Sequence, residues 1–547
     1  MMNSAVKREY LYLCLIYLIA VVLRVIQSSD MMVGMDVVAF SRLGKNFIEG
    51  GSYIFGENYN MGVFFPPGYP VFIGITNLLF DDLLFSSQVV SFVASLFTIL
   101  LGYLLGREMF GGRAGLFTAF AFAIYPVILI FSVDGYSESL FFCFMLLSIY
   151  IYFKAINKGS IILHILFGVT AGLTFLTRSE GMFLLLLPFL QIISFFKKER
   201  VGISFRAAAS FILVIIVFLV TISPYMLFLK DYTGKFTLSG KSNVAVLLAK
   251  LADGDMEYHD VVNVSGSLYD KAAFKLNDTK DQLAGWDRTK NLSMAEYILS
   301  DPVRLIAKYQ RNVLQQVKLL FKLLIPLMLP LVLAFIRKDL ISNRKLFVFL
   351  LYSMFFFMLY PFFLIIERQT FSIVFFLIVF LSSGFAGSGE AFDHLIDFYG
   401  IKRSAVTAFI RRSLSVVIIM IFIITSASYL KFSKFDSADR LYEHARAGRY
   451  LKENISGEYE SLNVMSRKNV VSFFSDARFT MLPYAGTDDV VHFAKLYGVD
   501  YIVIDKSLIG NWEHFDELIE MHRHTDQVEL AYEDKSDNLI RMFRVKG

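Results

Sequence analysis

Three stretches near the N-terminus decide the fold. The first is Tyr10-Leu-Tyr-Leu-Cys-Leu-Ile-Tyr-Leu-Ile-Ala-Val-Val-Leu-Arg-Val-Ile26, an apolar run interrupted by one charge, Arg24. It is followed by Gly34-Met-Asp-Val-Val-Ala-Phe40, which carries Asp36, and by Phe64-Phe-Pro-Pro-Gly-Tyr-Pro70. Because no small-residue cleavage site follows the apolar run, it predicts an uncleaved membrane span. A carboxylate just beyond a span then indicates chemistry at a membrane surface.

The composition places most of the chain in lipid. Hydrophobic residues make up 56% of the 547 residues and charged residues 18%, whereas soluble domains are about half apolar and about a quarter charged. The sequence predicts about eleven spans, near residues 10–27, 86–106, 114–133, 139–153, 161–177, 181–196, 207–229, 315–336, 346–363, 370–386 and 414–431. The shorter run Val71–Phe80 predicts an interfacial or re-entrant helix instead.

The basic residues orient these spans. Lys and Arg accumulate in alternate connections, which by the positive-inside rule places those connections and the N-terminus in the cytoplasm. The cytoplasmic set comprises Lys7, Arg8, Arg107, Arg113, Lys154, Lys158, Lys197, Lys198, Arg200, Arg206, Arg337, Lys338, Arg344, Lys345, Lys402, Arg403, Arg411 and Arg412. The short turns on the other side hold only Arg178 and Arg368. The net charge of +5 therefore marks orientation, and no basic cluster indicates binding of nucleic acid.

The positions of the spans and the more polar composition of the tail predict two domains. Residues 1–431 form the predicted transmembrane catalytic domain, which includes a first outer loop, 30–85, and a large outer loop, 230–314. Residues 432–547 are more polar and predict a small extracytoplasmic α/β domain. Its predicted helices are 437–453 and 490–497, and its predicted strands are 461–465, 470–474 and 498–505. The expected fold class is a multi-span α-helical protein of the plasma or inner membrane with this α/β domain at its C-terminus.

Acidic residues at the outer ends of spans are candidates for function, since ionisable groups at membrane depth are costly. Asp36 follows the first span, and its other interpretation is a solvated or helix-capping carboxylate. Asp134 and Glu138 lie in the turn between the third and fourth spans, where a spacing of four would place both on one helical face. Glu138 could instead begin the fourth helix, because acidic side chains suit a helix N-terminus.

Three arginines are candidates for binding a phosphate, because a guanidinium presents a fork of donors to oxyanions. Arg178 lies in Thr177-Arg-Ser-Glu-Gly181, where a local ion pair with Glu180 is the alternative. Arg368 lies in another outer turn. Arg24, near the outer end of the first span, could snorkel or pack instead. Together with the carboxylates, these arginines predict transfer of a group from a lipid phosphate to a hydroxyl.

The motifs and their order resemble those of the GT-C glycosyltransferase superfamily, in the branch of protein mannosyltransferases and aminoarabinose transferases (family 39 or RgtA/B/C/D-like). The similar stretches are Met35-Asp36, Pro66-Pro-Gly-Tyr-Pro70, Tyr136-Ser-Glu-Ser-Leu-Phe141, Gly168-Val-Thr-Ala-Gly-Leu-Thr-Phe-Leu-Thr-Arg-Ser-Glu-Gly181, Glu367-Arg368 and Tyr497-Gly-Val-Asp-Tyr-Ile-Val-Ile-Asp505. The resemblance covers nearly the whole chain. It implies an inverting enzyme with a polyprenyl- or dolichyl-phosphate sugar donor and a glycan, lipid or protein acceptor.

The resemblance also implies roles for these residues. Asp36 would be the general base that takes the proton of the acceptor hydroxyl, an effect of roughly 10² to 10⁴-fold on the rate. Glu138, with Asp134 beside it, would be the second acidic site. Arg178 and Arg368 would stabilise the leaving lipid phosphate, with Arg24 as a third candidate.

The sequence departs from the family pattern at several positions. Val37 stands where many relatives have Glu, so the metal site is unknown and no cofactor is certain, although a divalent cation is compatible with the carboxylates. Phe65 replaces a lysine that some relatives carry, and Gln369 and Thr370 follow Arg368 where Tyr and Pro are usual. The Trp-Trp-Asp signature of oligosaccharyltransferases is missing, which argues against transfer of whole oligosaccharides to asparagine.

Two other functions fit a protein of this kind. A transporter or flippase of lipid-linked sugar would show pseudo-symmetric halves and polar residues near the bilayer midplane. The sequence has no internal repeat, and its charged groups gather at one end of the spans. A non-catalytic membrane scaffold whose tail binds a partner is the second alternative.

Overall fold

The described part of the chain forms two compact units. The computed structural model describes residues 4–28, 34–56, 60–190, 201–233, 236–240, 302–336, 344–362, 367–432, 441–455 and 462–546, apart from residues 484, 511, 513 and 537. The helical unit comprises Met1–Met31, Gln88–Pro224 and Val303–Phe435. The loop–sheet unit comprises Met32–Ser87, Tyr225–Pro302 and Asp436–Gly547. Most of the predicted large outer loop, residues 241–301, lies outside the described residues.

Helices make up nearly all of the described residues up to 432. The described α-helices are α1 Ser4–Gln27, α2 Met35–Gly50, α3 Gly68–Phe80, α4 Leu83–Phe110, α5 Gly112–Ile124, α6 Pro126–Phe131, α7 Glu138–Lys158, α8 Ile161–Thr177, α9 Val201–Thr233, α10 Pro302–Leu324, α11 Met328–Ile336, α12 Arg344–Leu359, α13 Glu367–Ala386, α14 Ser388–Phe398 and α15 Ala405–Phe432. Short 3₁₀ helices at Met61–Val63, Ser179–Leu185, Ile325–Leu327 and Tyr360–Phe362 join some of them.

Within the described ranges, six helices are long and apolar enough to cross a membrane, or seven if the bent pair α13 and α14 is one span. The six are Lys7–Gln27, Leu83–Phe110, Glu138–Lys158, Ala208–Tyr232, Pro302–Ala334 and Ala405–Ser428. Four of the other five predicted spans correspond to shorter apolar helices, Gly112–Ile124, Ile161–Thr177, Ser179–Leu190 and Phe349–Phe362, and the fifth to the bent pair. The multi-helical fold is therefore confirmed, while the count of eleven spans stays a prediction.

Pro126 interrupts the predicted third span, 114–133. Helix α5 ends at Ile124, Tyr125 is extended with φ −63° and ψ 126°, and α6 begins at Pro126. Proline has no N–H to continue the helix, and it disfavours the helical conformation of the residue before it. The carbonyl that residue 126 would have served, that of Phe122, consequently needs another partner.

Phenylalanine rings form part of the interior of the helical unit. Phe375 of α13 stacks on Phe122 of α5 at 4.6 Å and on Phe142 of α7 at 4.1 Å between ring centroids. Phe117 of α5 stacks on Phe385 of α13 at 4.4 Å. Offset aromatic pairs are worth about 0.5 to 1.5 kcal/mol beyond their buried area. These stacks tie α5, α7 and α13 together.

The first outer loop folds as two helices that cross at a pair of glycines. A Cβ atom on Gly44 of α2 would lie 2.1 Å from the carbonyl oxygen of Pro70, and one on Gly74 of α3 would lie 2.4 Å from the oxygen of Gly44. The two backbones are thus too close for any side chain between them. The predicted interfacial segment 71–80 is helix α3, whose 13 residues are too short to cross a bilayer.

The tail forms a five-stranded sheet with helices. The described strands are β1 Asn463–Ser466, β2 Arg478–Met481, β3 Tyr501–Asp505, β4 Val528–Asp534 and β5 Ile540–Val545, and their order is β2-β1-β3-β5-β4. Strands β1, β2 and β3 are parallel, whereas β5 is antiparallel to β3 and β4. The tail helices are α16 Tyr442–Asn454, α17 Val470–Phe474, α18 Thr487–Leu496, α19 Lys506–Ile509, α20 Phe515–Ile519 and α21 Met521–His524.

One predicted strand of the tail is wrong. Residues 470–474 form helix α17, not a strand. The segment joins the parallel strands β1 and β2, and parallel neighbours require a crossover connection. The other predictions match: strand 461–465 corresponds to β1 and strand 498–505 to β3, which follows Gly498 in the left-handed conformation. The helices predicted at 437–453 and 490–497 correspond to α16 and α18.

Candidate functional site

In the helical unit, Arg178 pairs with two carboxylates. Its Nη1 contacts Oε1 of Glu138, and its Nη2 donates to Oε1 of Glu180 at 2.9 Å. The guanidinium carbon lies 5.8 Å from the ring centre of Phe141, a distance typical of a cation–π contact. The structure therefore brings together two of the predicted site residues, Glu138 and Arg178, from positions 40 residues apart.

The backbone explains how the two acids reach one guanidinium. Helix α8 ends at Thr177, and Arg178 is extended with φ −153° and ψ 136°. The 3₁₀ helix that follows turns the chain tightly, so Glu180 lies beside Arg178. Gly181 permits this turn, because a Cβ atom there would lie 2.4 Å from the backbone nitrogen of Phe175. The motif Thr-Arg-Ser-Glu-Gly thus encodes the local half of the cluster.

The cluster of Glu138, Arg178 and Glu180 has a formal charge of −1 when all three groups are ionised. Its members differ in access to solvent: the side chain of Glu138 is 2% exposed and that of Glu180 is 27% exposed. The local ion pair considered as the alternative for Arg178 is present. The buried partner Glu138 is an additional, long-range contact that holds the guanidinium in place.

Asp134 does not share a helical face with Glu138. Helix α7 begins at Glu138, and Asp134 is buried in the preceding turn, where Gly135 has φ +71°. The expectation of two carboxylates on one face is wrong, because the left-handed glycine breaks the helical path between them. The alternative, in which Glu138 begins the helix, is the arrangement observed.

Arg24 packs inside the helical unit and does not snorkel. Its side chain is fully buried. Its Nη1 donates to the carbonyl oxygen of Ala123 at 3.0 Å, and its Nη2 to that of Phe122 at 3.3 Å. Its Nε donates to Oγ of Ser95 at 2.8 Å. Arg24 therefore donates to the carbonyls left without a helical partner at the break before Pro126, and the packing alternative is the arrangement observed.

Two predicted residues lie at the start of α13. The backbone of Glu367 and Arg368 forms the first turn of this helix. The side chain of Arg368 lies outside the described residues, so its role as a phosphate ligand stays a prediction.

Asp36 is the second residue of α2, in the loop–sheet unit. Its side chain is partly buried. The N-cap residue of the helix is Gly34, which has no side chain to cap the first turn. A carboxylate in the first helical turn interacts favourably with the helix dipole. Eight residues of α2, from Val37 to Gly44, are buried in this unit. Asp36 thus lies at the end of a helix that is held firmly by its surroundings.

Helix α2 is bound to the tail by polar contacts that the sequence did not indicate. Nη2 of Arg42 lies 3.3 Å from Oδ1 of Asp476, and the guanidinium carbon lies 5.9 Å from the ring centre of Phe473. Nδ2 of Asn469 donates to the carbonyl oxygen of Met35 at 3.5 Å and approaches the sulfur of Met61 at 3.2 Å. These partners are more than 400 positions apart, so no local motif could have revealed them.

A buried histidine in the tail lies between two carboxylates. Nδ1 of His444 is 3.6 Å from Oε1 of Glu443, and Nε2 is 3.4 Å from Oδ2 of Asp505. Burial alone would lower the pKa of His444, but the two carboxylates outweigh burial and raise the pKa above its ordinary value of 6.5. Burial raises the pKa of Glu443, yet His444 brings the net pKa below its ordinary value.

Among the residues that the structure describes, no three His, Cys, Asp or Glu side chains form a group that could hold a metal ion. The divalent cation considered from the resemblance therefore has no complete set of side-chain ligands within those ranges.

One family profile matches part of the chain. The family described as dolichyl-phosphate-mannose-protein mannosyltransferase matches residues 65–228, a segment that contains Glu138, Arg178 and Glu180. No curated protein matches the chain by sequence.

Solved structures share the fold over nearly the whole chain. ArnT from Cupriavidus metallidurans, bound to undecaprenyl phosphate, has a TM-score of 0.55 and 12% identity, with 97% of each chain covered. The archaeal oligosaccharyltransferase AglB from Archaeoglobus fulgidus, in complex with an inhibitory peptide and a dolichol-phosphate, has a TM-score of 0.54 and 14% identity, covering 92% of this chain and 70% of that chain. A structure of the A. fulgidus oligosaccharyltransferase with Zn and sulfate has a TM-score of 0.54 and 16% identity, covering 90% of this chain and 68% of that chain.

Likeness at such identities establishes the fold and not the activity. Together with the family match, it confirms the predicted resemblance: the chain has the GT-C fold of a multi-helical integral membrane protein.

Proposed function

We propose that the chain is an inverting glycosyltransferase that moves a sugar from a polyprenyl- or dolichyl-phosphate carrier to an acceptor hydroxyl. The observation that carries the proposal is the family match over residues 65–228, because it includes Glu138 and Arg178, which contact each other in the structure. The ligands of the neighbours support the donor class, since AglB holds a dolichol-phosphate and ArnT an undecaprenyl phosphate. The acceptor class we propose is a glycan, a lipid or a protein.

In the proposed reaction, the carboxylate of Asp36 takes the proton of the acceptor hydroxyl. The hydroxyl oxygen forms a bond to the anomeric carbon on the face opposite the phosphate. The bond from that carbon to the phosphate oxygen breaks, and its electron pair leaves with the lipid phosphate. Because a phosphate is a good leaving group, cationic stabilisation matters more than protonation. A base in position contributes roughly 10² to 10⁴-fold to the rate.

Arg178 is proposed to bind the leaving phosphate in exchange for one of its carboxylates. Glu180 is the exchangeable partner because it is the more exposed of the two, and Glu138 stays to orient the guanidinium. Glu138 is the proposed second acidic site, with Asp134 beside it, buried in the adjacent turn. Arg368 is the second proposed phosphate ligand. Arg24 has no part in the proposed site, because its donors serve the helical unit.

The proposed topology follows from the basic residues. About eleven spans place the N-terminus in the cytoplasm, and the loops 30–85 and 230–314 and the tail 432–547 outside it. In this topology Asp36, Glu138 and Arg178 belong to the same extracytoplasmic side. Transfer would then take place at the outer face of the plasma or inner membrane.

A deletion strain tests the proposal. Mass spectrometry of its envelope glycans, lipids and proteins should show one missing sugar, and the wild-type gene should restore it. Asp36→Asn keeps the size of the side chain but removes the base, so we expect at least about 100-fold slower restoration at equal protein abundance.

The matched control is Glu49→Gln at the other end of helix α2, where the carboxylate is half-exposed and contacts Lys45 at 3.9 Å. This variant should restore the sugar at the wild-type rate. Normal restoration by Asp36→Asn would end the assignment of Asp36 as base. Movement of carrier lipid across vesicles without sugar transfer would favour the flippase.

A further inference from the structure

We propose that Arg42, Asn469 and Asp476 are positioning residues through which the tail sets the place of Asp36. The inference rests on the proposed function, because it assumes that Asp36 is the base. All of the contacts that support it lie within the loop–sheet unit.

The tail contacts helix α2 at two positions, one before Asp36 and one after it. Asn469 donates to the carbonyl oxygen of Met35, the residue before Asp36. Arg42, six positions after Asp36 and on the same helix, contacts Asp476 through Nη2. Asn469 directly precedes α17, and Asp476 lies two residues after its end. Because both contacts come from the segment 469–476, movement of that short segment would move α2 with it.

The ion pair between Arg42 and Asp476 is buried on the arginine side and partly exposed on the carboxylate side. The side chain of Arg42 is 10% exposed and that of Asp476 is 32% exposed. Asp476 also accepts a hydrogen bond from Nζ of Lys452 in the tail at 2.5 Å. Although burial raises the pKa of Asp476, Lys452 and Arg42 bring it below its ordinary value. The carboxylate is therefore ionised at neutral pH and links a tail lysine to a loop arginine.

The backbone around α17 is shaped for these contacts. Asp476 has φ +54°, a left-handed conformation that is uncommon for residues other than glycine. Asn469 precedes the first residue of α17 and is fully buried. The left-handed conformation of Asp476 persists only where the surrounding structure enforces it. The turn thus directs the carboxylate of Asp476 towards α2.

Further contacts fix α2 in this place. Gly44 lies directly against Pro70 and Gly74 of α3, so the helix cannot slide without a steric clash. Phe55, beyond the end of α2, packs on Phe479 of β2 with 5.7 Å between ring centroids. A base must lie within hydrogen-bond reach of its proton, and a misplacement of about 1 Å can cost about 100-fold in rate. Helix α3 and the tail therefore hold α2 in place together.

Hydrogen–deuterium exchange of the full-length chain in detergent micelles measures how firmly the backbone of α2 is held, without any ligand. Asp476→Asn removes the charge and keeps the backbone, because asparagine also tolerates the left-handed conformation. We expect this variant and Arg42→Gln to exchange several-fold faster in residues 35–50. Restoration of the missing sugar in the deletion strain should become about 10 to 100-fold slower. Arg42→Lys, which retains the charge, should regain much of both properties.

The control is Asp534→Asn, which breaks an ion pair of the tail that does not involve α2. Oδ2 of Asp534 lies 2.7 Å from Nε of Arg446. This variant should leave exchange in residues 35–50 and sugar transfer unchanged. The double variant Arg42→Gln with Asp476→Asn should be slowed by clearly less than the product of the two single effects, because both substitutions remove the same ion pair.

Three results would overturn the inference: unchanged exchange in residues 35–50, transfer that stays normal while exchange rises, or an equal effect of Asp534→Asn. Asp36→Asn, measured in parallel, separates this inference from the proposed function. If Asp36→Asn is inactive and Asp476→Asn transfers normally, only the positioning role fails. If Asp36→Asn transfers normally, the base assignment fails whatever Asp476→Asn does.

Discussion

Arg178 holds two carboxylates of unequal burial, and replacing each separately shows which one shapes the site. Removing a partner from a buried ion pair destabilises by about 3 to 5 kcal/mol, because an uncompensated charge remains. Arg178 is 21% exposed, and in the variant Glu138→Gln it still pairs with Glu180. We therefore expect this variant to lower the free energy of unfolding by about 2 to 3 kcal/mol. The carboxylate of Glu180 is the more exposed of the two, so Glu180→Gln should lower the free energy of unfolding by no more than about 1 kcal/mol, near the value for a surface pair.

The two variants should also differ in binding of the carrier. If the phosphate replaces Glu180, removal of that carboxylate frees the guanidinium for it. A gain of up to about 1 kcal/mol corresponds to about 5-fold tighter binding of undecaprenyl phosphate by Glu180→Gln. Glu138→Gln should bind the same lipid no more tightly than the wild type, because the guanidinium loses the carboxylate that orients it.

Thermal unfolding of the full-length chain in micelles and titration with undecaprenyl phosphate check both parts. We expect a clearly lower unfolding temperature for Glu138→Gln alone and a lower Kd for Glu180→Gln alone. Glu529→Gln is a control for charge removal, since its carboxylate pairs with Arg544 at 3.8 Å on the surface of the tail sheet. Equal loss of stability in the two variants, or weaker lipid binding by Glu180→Gln, would refute the exchange of Glu180 for phosphate.

Two further predictions concern the loop–sheet unit. Gly44→Ala should destabilise by about 1 to 3 kcal/mol and slow transfer, because its Cβ atom would meet the backbone of Pro70 at 2.1 Å. Gly50→Ala on the same helix has open space around its Cβ and should be neutral or slightly stabilising in a proteolysis assay. The raised pKa of His444 predicts that its contribution to stability is complete below about pH 6.5 and is lost as the pH rises through that raised value. Unfolding temperatures at pH 6 and pH 9 should therefore differ for the wild type and differ less for His444→Gln, and a pH dependence unchanged by the substitution would contradict this.

Features that depend on neighbours in sequence could be predicted. The apolar run from Tyr10 to Ile26 gave α1, and Gly498 marked the turn before the buried strand β3. The alternative in which Glu138 begins α7, based on the preference of helix N-termini for negative charge, is the arrangement observed. Local propensity and hydrophobic period determine such elements, since the residues that decide them are only a few positions apart.

Features that depend on distant partners could not be predicted. The apolar run Val470–Phe474 fits a strand or a buried helix equally well, and only the parallel pairing of β1 and β2 makes it a crossover. Arg24 was a candidate phosphate ligand, because the sequence does not show that the break at Pro126 leaves two carbonyls without helical partners for its guanidinium to bind. The pairing of Arg42 with Asp476 links positions 434 residues apart, and no periodicity reports such a contact.

Three of the buried and partly buried ions are found at or beside the end of a helix, whereas Arg42 lies within α2. Arg24 binds carbonyls at the end of α5, Arg178 follows the last residue of α8, and Asp476 follows α17. At a helix end, main-chain groups lack helical hydrogen-bond partners and the chain leaves its regular path. A charged side chain there can bind those groups or a second charge, and the turn of the chain sets its direction. The flanking Gly181 and Pro126 create those ends. Their substitution should therefore impair the chain as strongly as loss of the charges that they position.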